Sequence, residues 1–177
     1  MNEIAQRIRD SGAIKHGTFQ LSDETLTDYY IDKYVFETQP TLLEAVRDAL
    51  VEHLDVETCD ILAGPALGAV PLVTAVSLQT NINSVFIRKS RGLQGTQARI
   101  EGDVDKGMRA VVIEDVTMTG KTAVESAQVL ESAGVVVDTI LAVVDRDEGA
   151  EDTAHKAGYD FEPVICIGDD ILVDDRQ

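Results

Sequence analysis

The stretch Ala110-Val111-Val112-Ile113-Glu114-Asp115-Val116-Thr117-Met118-Thr119-Gly120-Lys121-Thr122 decides how this chain folds. Its apolar start, 110–113, predicts a buried parallel strand. The Thr/Gly segment after it predicts a tight loop, and Ala123-Val124-Glu125-Ser126 begins a helix. Strand, small-residue loop and helix N-terminus together make a phosphate cradle, because backbone N–H groups converge there and the helix dipole favours an anion. Glu114 and Asp115, at the strand's end, are badly placed to hold a phosphate. They suit the hydroxyls of a sugar or a hydrated Mg²⁺. Phosphate and sugar in one site imply a phosphorylated sugar as ligand.

Outward from this stretch, strands alternate with helices. Strands are expected at 60–63, 84–87, 109–113, 138–144 and 163–167, with helices near 70–78, 123–132 and 150–157. Pro40 starts an amphipathic helix whose stripe is Leu42, Leu43, Val46, Leu50, Val51 and Leu54. Ile4, Ala5 and Ile8 mark a first helix that Gly12 can end, and 19–21 and 29–32 look extended around a polar turn. The expected architecture is an α/β fold: a five-stranded, mostly parallel sheet flanked by helices, in one domain over 1–177. Ligands of such sheets sit at the carboxyl ends of the strands, where the loops 64–68, 88–102 and 114–122 and the triplet Asp145-Arg146-Asp147 lie.

Charge narrows the partners. The 177 residues carry 32 acids against 15 Lys and Arg, a net charge of −17. Such a surface argues against nucleic acid or an anionic membrane as a general partner and suggests adaptation to high salt, where self-repulsion is screened. No apolar run approaches the length of a membrane span and no signal peptide is evident, so a cytoplasmic location is expected. Cys59 and Cys166 are isolated and read as buried free thiols; the scattered His16, His53 and His155 suggest no zinc site.

Within this acidic chain, 61–100 contains no Asp or Glu, although the average of 32 in 177 would put about seven in its 40 residues. A buried helix and strand account for the first part. The polar loop that follows is different: it holds Arg88, Lys89, Arg91 and Arg99, four of the 15 basic residues. That concentration points to phosphate binding. A P-loop of the NTPase kind does not fit, since it needs Gly where Asp115 stands, and no early GxGxxG marks a dinucleotide fold.

The run 112–122 resembles the PRPP motif of the type I phosphoribosyltransferases. The rest of the chain is similar to the orotate phosphoribosyltransferase family, its haloarchaeal branch most of all. Gly17-Thr18-Phe19-Gln20-Leu21-Ser22 with Asp28-Tyr29-Tyr30-Ile31-Asp32-Lys33 matches the family's N-terminal hood, placed at about 1–40. Ala63-Gly64-Pro65-Ala66-Leu67-Gly68-Ala69-Val70-Pro71-Leu72 matches its pyrophosphate loop. Arg88-Lys89, Gly95 and Ile100-Glu101-Gly102 match the frame of its mobile loop, and Asp145-Arg146 its orotate-binding arginine.

The resemblance implies roles. Glu114 and Asp115 hold the ribose hydroxyls of PRPP, 117–122 cradle the 5′-phosphate, and Val116 counts among the PRPP-binding residues. Arg88 and Lys89 bind the pyrophosphate, with Lys89, Arg91 and Asp115 as catalytic candidates. Arg146 pairs with the orotate carboxylate, and Met118 lies by the base. Mg²⁺ is the implied cofactor, held mainly by PRPP with no direct protein ligand, and a homodimer with shared active sites is the implied assembly. The implied reaction converts orotate and PRPP to orotidine 5′-phosphate and pyrophosphate. The chain departs from the family pattern at Gly92 and Gln94, where a loop Lys and a His or Tyr are usual. It departs again at Met118, where Thr is usual, and at Asp23-Glu24, where Ser-Gly is. These departures keep two alternatives open: a non-catalytic PRPP or nucleotide sensor, and a phosphoribosyltransferase for another base.

Overall fold

A computed structural model describes residues 3–20, 25–90 and 98–171. A six-stranded sheet is built from β3 (Ile61–Pro65), β4 (Asn83–Ile87), β5 (Ile100–Glu101), β6 (Arg109–Thr117), β7 (Val136–Asp145) and β8 (Asp160–Cys166), in the order β5-β4-β3-β6-β7-β8. The five expected strands are all present and pair in parallel. The sheet has a sixth strand that the sequence did not suggest: two residues of β5 pair antiparallel with the end of β4. Two residues are too few to carry a periodicity.

Alternate residues of each central strand enter opposite cores, as the pleat requires. Leu62, Ile113, Leu141 and Ile165 pack on one face with α1 (Glu3–Asp10), α3 (Pro40–Glu52) and α4 (Val70–Thr80). Ala63, Val112, Ile140 and Ala142 pack on the other with α5 (Lys121–Ser132) and α6 (Ala150–Ala157). None of the described helices is long and apolar enough to cross a membrane.

Beside this sheet lies a two-stranded antiparallel ribbon of β1 (Ile14–Gln20) and β2 (Leu26–Ile31). It leads into α2 (Lys33–Thr38), a stretch for which the sequence suggested no element. Six residues are too few to hold a helix alone. Phe36, fully buried in the first core, anchors it, a burial that contributes about 2–3 kcal/mol.

Two further corrections bear on the site. β6 runs four residues past the expected strand end, through Glu114, Asp115 and Thr117, all of them buried. The helix after it starts at Lys121 rather than Ala123. Of the two free cysteines, Cys59 is buried as expected and Cys166 only half-buried.

Candidate functional site

The sheet's order reverses between β3 and β6: the chain passes from β3 outward to β4, then returns to the other side. A crevice opens at the carboxyl ends of the strands at such a switch point. Here it is a cleft of about 450 Å³, lined on one side by 114–122 and on the other by 65–68, with Lys33 and Lys89 at its margins.

The cradle is set by local chemistry. Gly120 adopts a left-handed φ of 73°, and a Cβ there would come within 2.9 Å of the Ala150 carbonyl oxygen, so only glycine fits without displacement. Its N–H donates to the Thr117 hydroxyl at 3.1 Å, which closes the turn. No side chain caps α5, so the N–H groups of its first turn remain available to an anion. The Thr117 carbonyl accepts from the Arg146 N–H at 3.0 Å and ties the loop to the end of β7.

The two acids differ. Glu114 is 6% exposed; burial, then the neighbouring Asp115, raises its carboxyl well above the usual range. Asp115 accepts from its neighbour's backbone through one oxygen, the Val116 N–H, and pairs with the Lys33 ammonium through the other. Burial pulls the Lys33 pKa down, but the Asp115 charge and hydrogen bond outweigh it, so the ammonium is held firmly. One turn along α2, Glu37 is buried, and neither carboxylate oxygen has a hydrogen-bond partner among the described residues. Burial, then Asp115, pushes its pKa up to about 7.

Most of the expected site residues meet in this cleft: Glu114, Asp115, Val116, Thr117, Met118, Thr119, Gly120, Lys121, Thr122 and Lys89 all line it. Arg88 does not. It pairs with Glu101 at 2.9 Å and lines a separate, more open depression with Leu67, Phe86 and Lys89. Arg99, from the same basic loop, is likewise engaged, with Glu125 at 2.7 Å. Arg146 lies beneath the ribbon, 7% exposed, with Nε on Glu148 at 2.8 Å, Nη2 on the Thr27 hydroxyl at 3.1 Å and the guanidinium 4.3 Å from the centre of the Tyr29 ring. Arg91, Gly92, Gln94 and Gly95 fall outside the described residues. Sequence reasoning missed Lys33 and Glu37 as site components. The available signal was a Lys–Glu pair four residues apart, next to the tyrosines.

Fold and cleft define the class: an open-sheet α/β protein with an anion-suited cleft at its switch point. The chain belongs to the phosphoribosyl transferase domain family, which matches residues 35–169. The orotate phosphoribosyltransferase of Natronomonas pharaonis is 40% identical over 174 residues, 98% of this chain and 98% of that one. That of Thermococcus gammatolerans is 42% identical over 171 residues, 95% of this chain and 90% of that one. The crystal structure of orotate phosphoribosyltransferase from Aeropyrum pernix superposes with a TM-score of 0.83 at 31% identity, covering 92% of this chain and 93% of that one.

Proposed function

We propose that this chain is an orotate phosphoribosyltransferase of pyrimidine biosynthesis, converting orotate and PRPP to orotidine 5′-phosphate and pyrophosphate. One observation carries the reading: an uncapped helix N-terminus and two buried acids line one side of a single cleft, facing the small-residue loop 65–68 on the other. The nearly full-length similarity to orotate phosphoribosyltransferases supports the choice of base.

In this reading the N–H groups of 117–122 take the 5′-phosphate, while Glu114 and Asp115 accept hydrogen bonds from the ribose hydroxyls. The pyrophosphate then lies over 64–68 with Lys89, already in the cleft, as its cation; Arg88 joins it only by giving up Glu101, and Arg91 belongs to the same basic loop. The C1–O bond breaks with its electron pair going to pyrophosphate. Orotate N1 bonds to C1, and its proton passes to the departing pyrophosphate or to water. Positive charge develops at C1 as negative charge leaves, so fixed cations that strengthen on the departing group lower the barrier. The family resemblance gives the 88–102 segment the part of a lid against water; its residues 91–97 lie outside the described residues.

Mg²⁺ fits as a metal carried mainly by phosphate oxygens and water. The described residues hold no cluster of three or more His, Cys, Asp or Glu able to bind it alone. When bound, it offsets charge on the leaving group. A homodimer, a cytoplasmic location and a high-salt optimum complete the proposal.

The test is a base panel with PRPP and Mg²⁺ in molar KCl. Orotate-dependent release of pyrophosphate is expected. Release with another base alone would reassign the substrate, and PRPP binding without turnover on any base would make the chain a sensor.

A further inference from the structure

Lys33 reaches the cleft from α2, outside every segment assigned to the ligand above. Three observations set it apart. Its ammonium pairs with Asp115, one of the two acids offered to the sugar. It lies against Gly68: a Cβ built on that glycine would collide with both the Lys33 Nζ and the Asp115 carboxylate. Its side chain is 25% exposed and lines the cleft together with 65–68. The ammonium therefore stands between the place for the ribose hydroxyls and the loop that faces the diphosphate.

A hydroxyl that takes Asp115 competes with the ammonium for the same carboxylate oxygen. Two acceptors then remain for Lys33. Behind it is Glu37, one turn along the helix, whose carboxyl burial and then Asp115 push up to about 7, so it carries only part of its charge at neutral pH. In front is the diphosphate, the most anionic part of the ligand. The multiply charged group wins that contest.

We propose that Lys33 is a diphosphate-binding cation, held by Asp115 in this structure and handed to the diphosphate over Gly68 when the sugar hydroxyls take Asp115. The assignment rests on the cleft being the PRPP site. It supplies a leaving-group cation to a chain whose loop has Gly92 where a Lys is usual.

The experiment is calorimetric binding of inorganic pyrophosphate with Mg²⁺, and separately of ribose 5-phosphate, to the wild type and to Lys33→Met. Pyrophosphate affinity is expected to fall about tenfold or more, the worth of one charge-assisted contact. Ribose 5-phosphate affinity should hold or improve, because Asp115 no longer has an ammonium to give up. A pyrophosphate affinity that stays near wild type overturns the proposal. So does a parallel loss of both ligands, which is the signature of a lysine that merely orders Asp115. Should Lys33→Met fail to fold, Lys33→Gln keeps a donor for Asp115 without the charge and carries the same expectations. A wild type that binds neither pyrophosphate nor PRPP overturns the cleft assignment itself. One that binds both but does not turn over orotate overturns only the activity, and the Lys33 comparison still decides its own case.

Discussion

Glu37 shows how one buried side chain couples the site to stability. Its carboxyl is 4% exposed and has no hydrogen-bond partner among the described residues, so ionising it costs desolvation with little return. Burial raises its pKa first and Asp115 second; Lys33 pulls it back in part, and the outcome is about 7 against an ordinary 4.5. The folded chain thus binds this proton more tightly than the unfolded chain does. The stabilising contribution is full below the unfolded value and is lost as pH rises through the folded one. Glu37→Gln keeps the shape and removes the charge. Relative to wild type it should gain on the order of 2 kcal/mol at about pH 8, and the gain should shrink towards pH 5. Urea midpoints at the two pH values read this directly, and an identical difference at both would show that Glu37 does not titrate in that window.

The ribbon of β1 and β2 sits where the elements meet, and Arg146 is its fastening. From the end of β7 this one guanidinium reaches the Thr27 hydroxyl and the Tyr29 ring, both on β2. A carboxylate of the base must share or displace those contacts, and the pair that results is charge-assisted. Arg146→Ala should raise the KM for orotate about tenfold while the Kd for PRPP stays nearly unchanged. Backbone amides of β2 should exchange faster in hydrogen-exchange measurements. An unchanged KM for orotate would leave Arg146 with the fastening role alone. The same scale explains what the sequence made legible. The five parallel strands announce themselves as apolar runs buried on both faces, and the cradle is legible because its turn, its glycine and its helix start are consecutive. The α2 helix is not, because its six residues owe their form to one anchor, Phe36, in a distant core. The end of β6 is not, because three polar residues in a row of five look like loop until their burial is known. Lys33 is not, because its partner Asp115 lies 82 positions away.

At the scale of the whole molecule the charge is uneven as well as large. A net −17 is spread over a chain in which 61–100 carries no acid, and that segment builds α4, β4 and one wall of the cleft. Acids crowd elsewhere: the groove between α1 and α3 is lined by Glu3, Glu44, Asp48 and Glu52, offset there by Arg7. The exposed ion pairs, such as Arg7 with Glu3 and Arg47 with Asp48, are each worth under about 1 kcal/mol and do not cancel a global excess. Repulsion of this kind falls as the Debye length shrinks from about 10 Å at 0.1 M salt to about 3 Å at 1 M. The melting temperature in KCl should therefore climb steeply at low concentration, by roughly 10 °C up to about 0.5 M, since each kcal/mol is worth about 2–4 °C in a chain of this size. Screening and salting-out differ in where the rise occurs. Screening is largely spent by about 0.5 M, whereas exclusion of salt from the surface continues to act at molar concentrations. Replacing Glu44 and Glu52 with Gln should flatten the low-salt limb and leave the high-salt limb alone. A curve that stays flat at low salt and rises only above about 1 M would mean that charge repulsion is not what salt relieves in this protein.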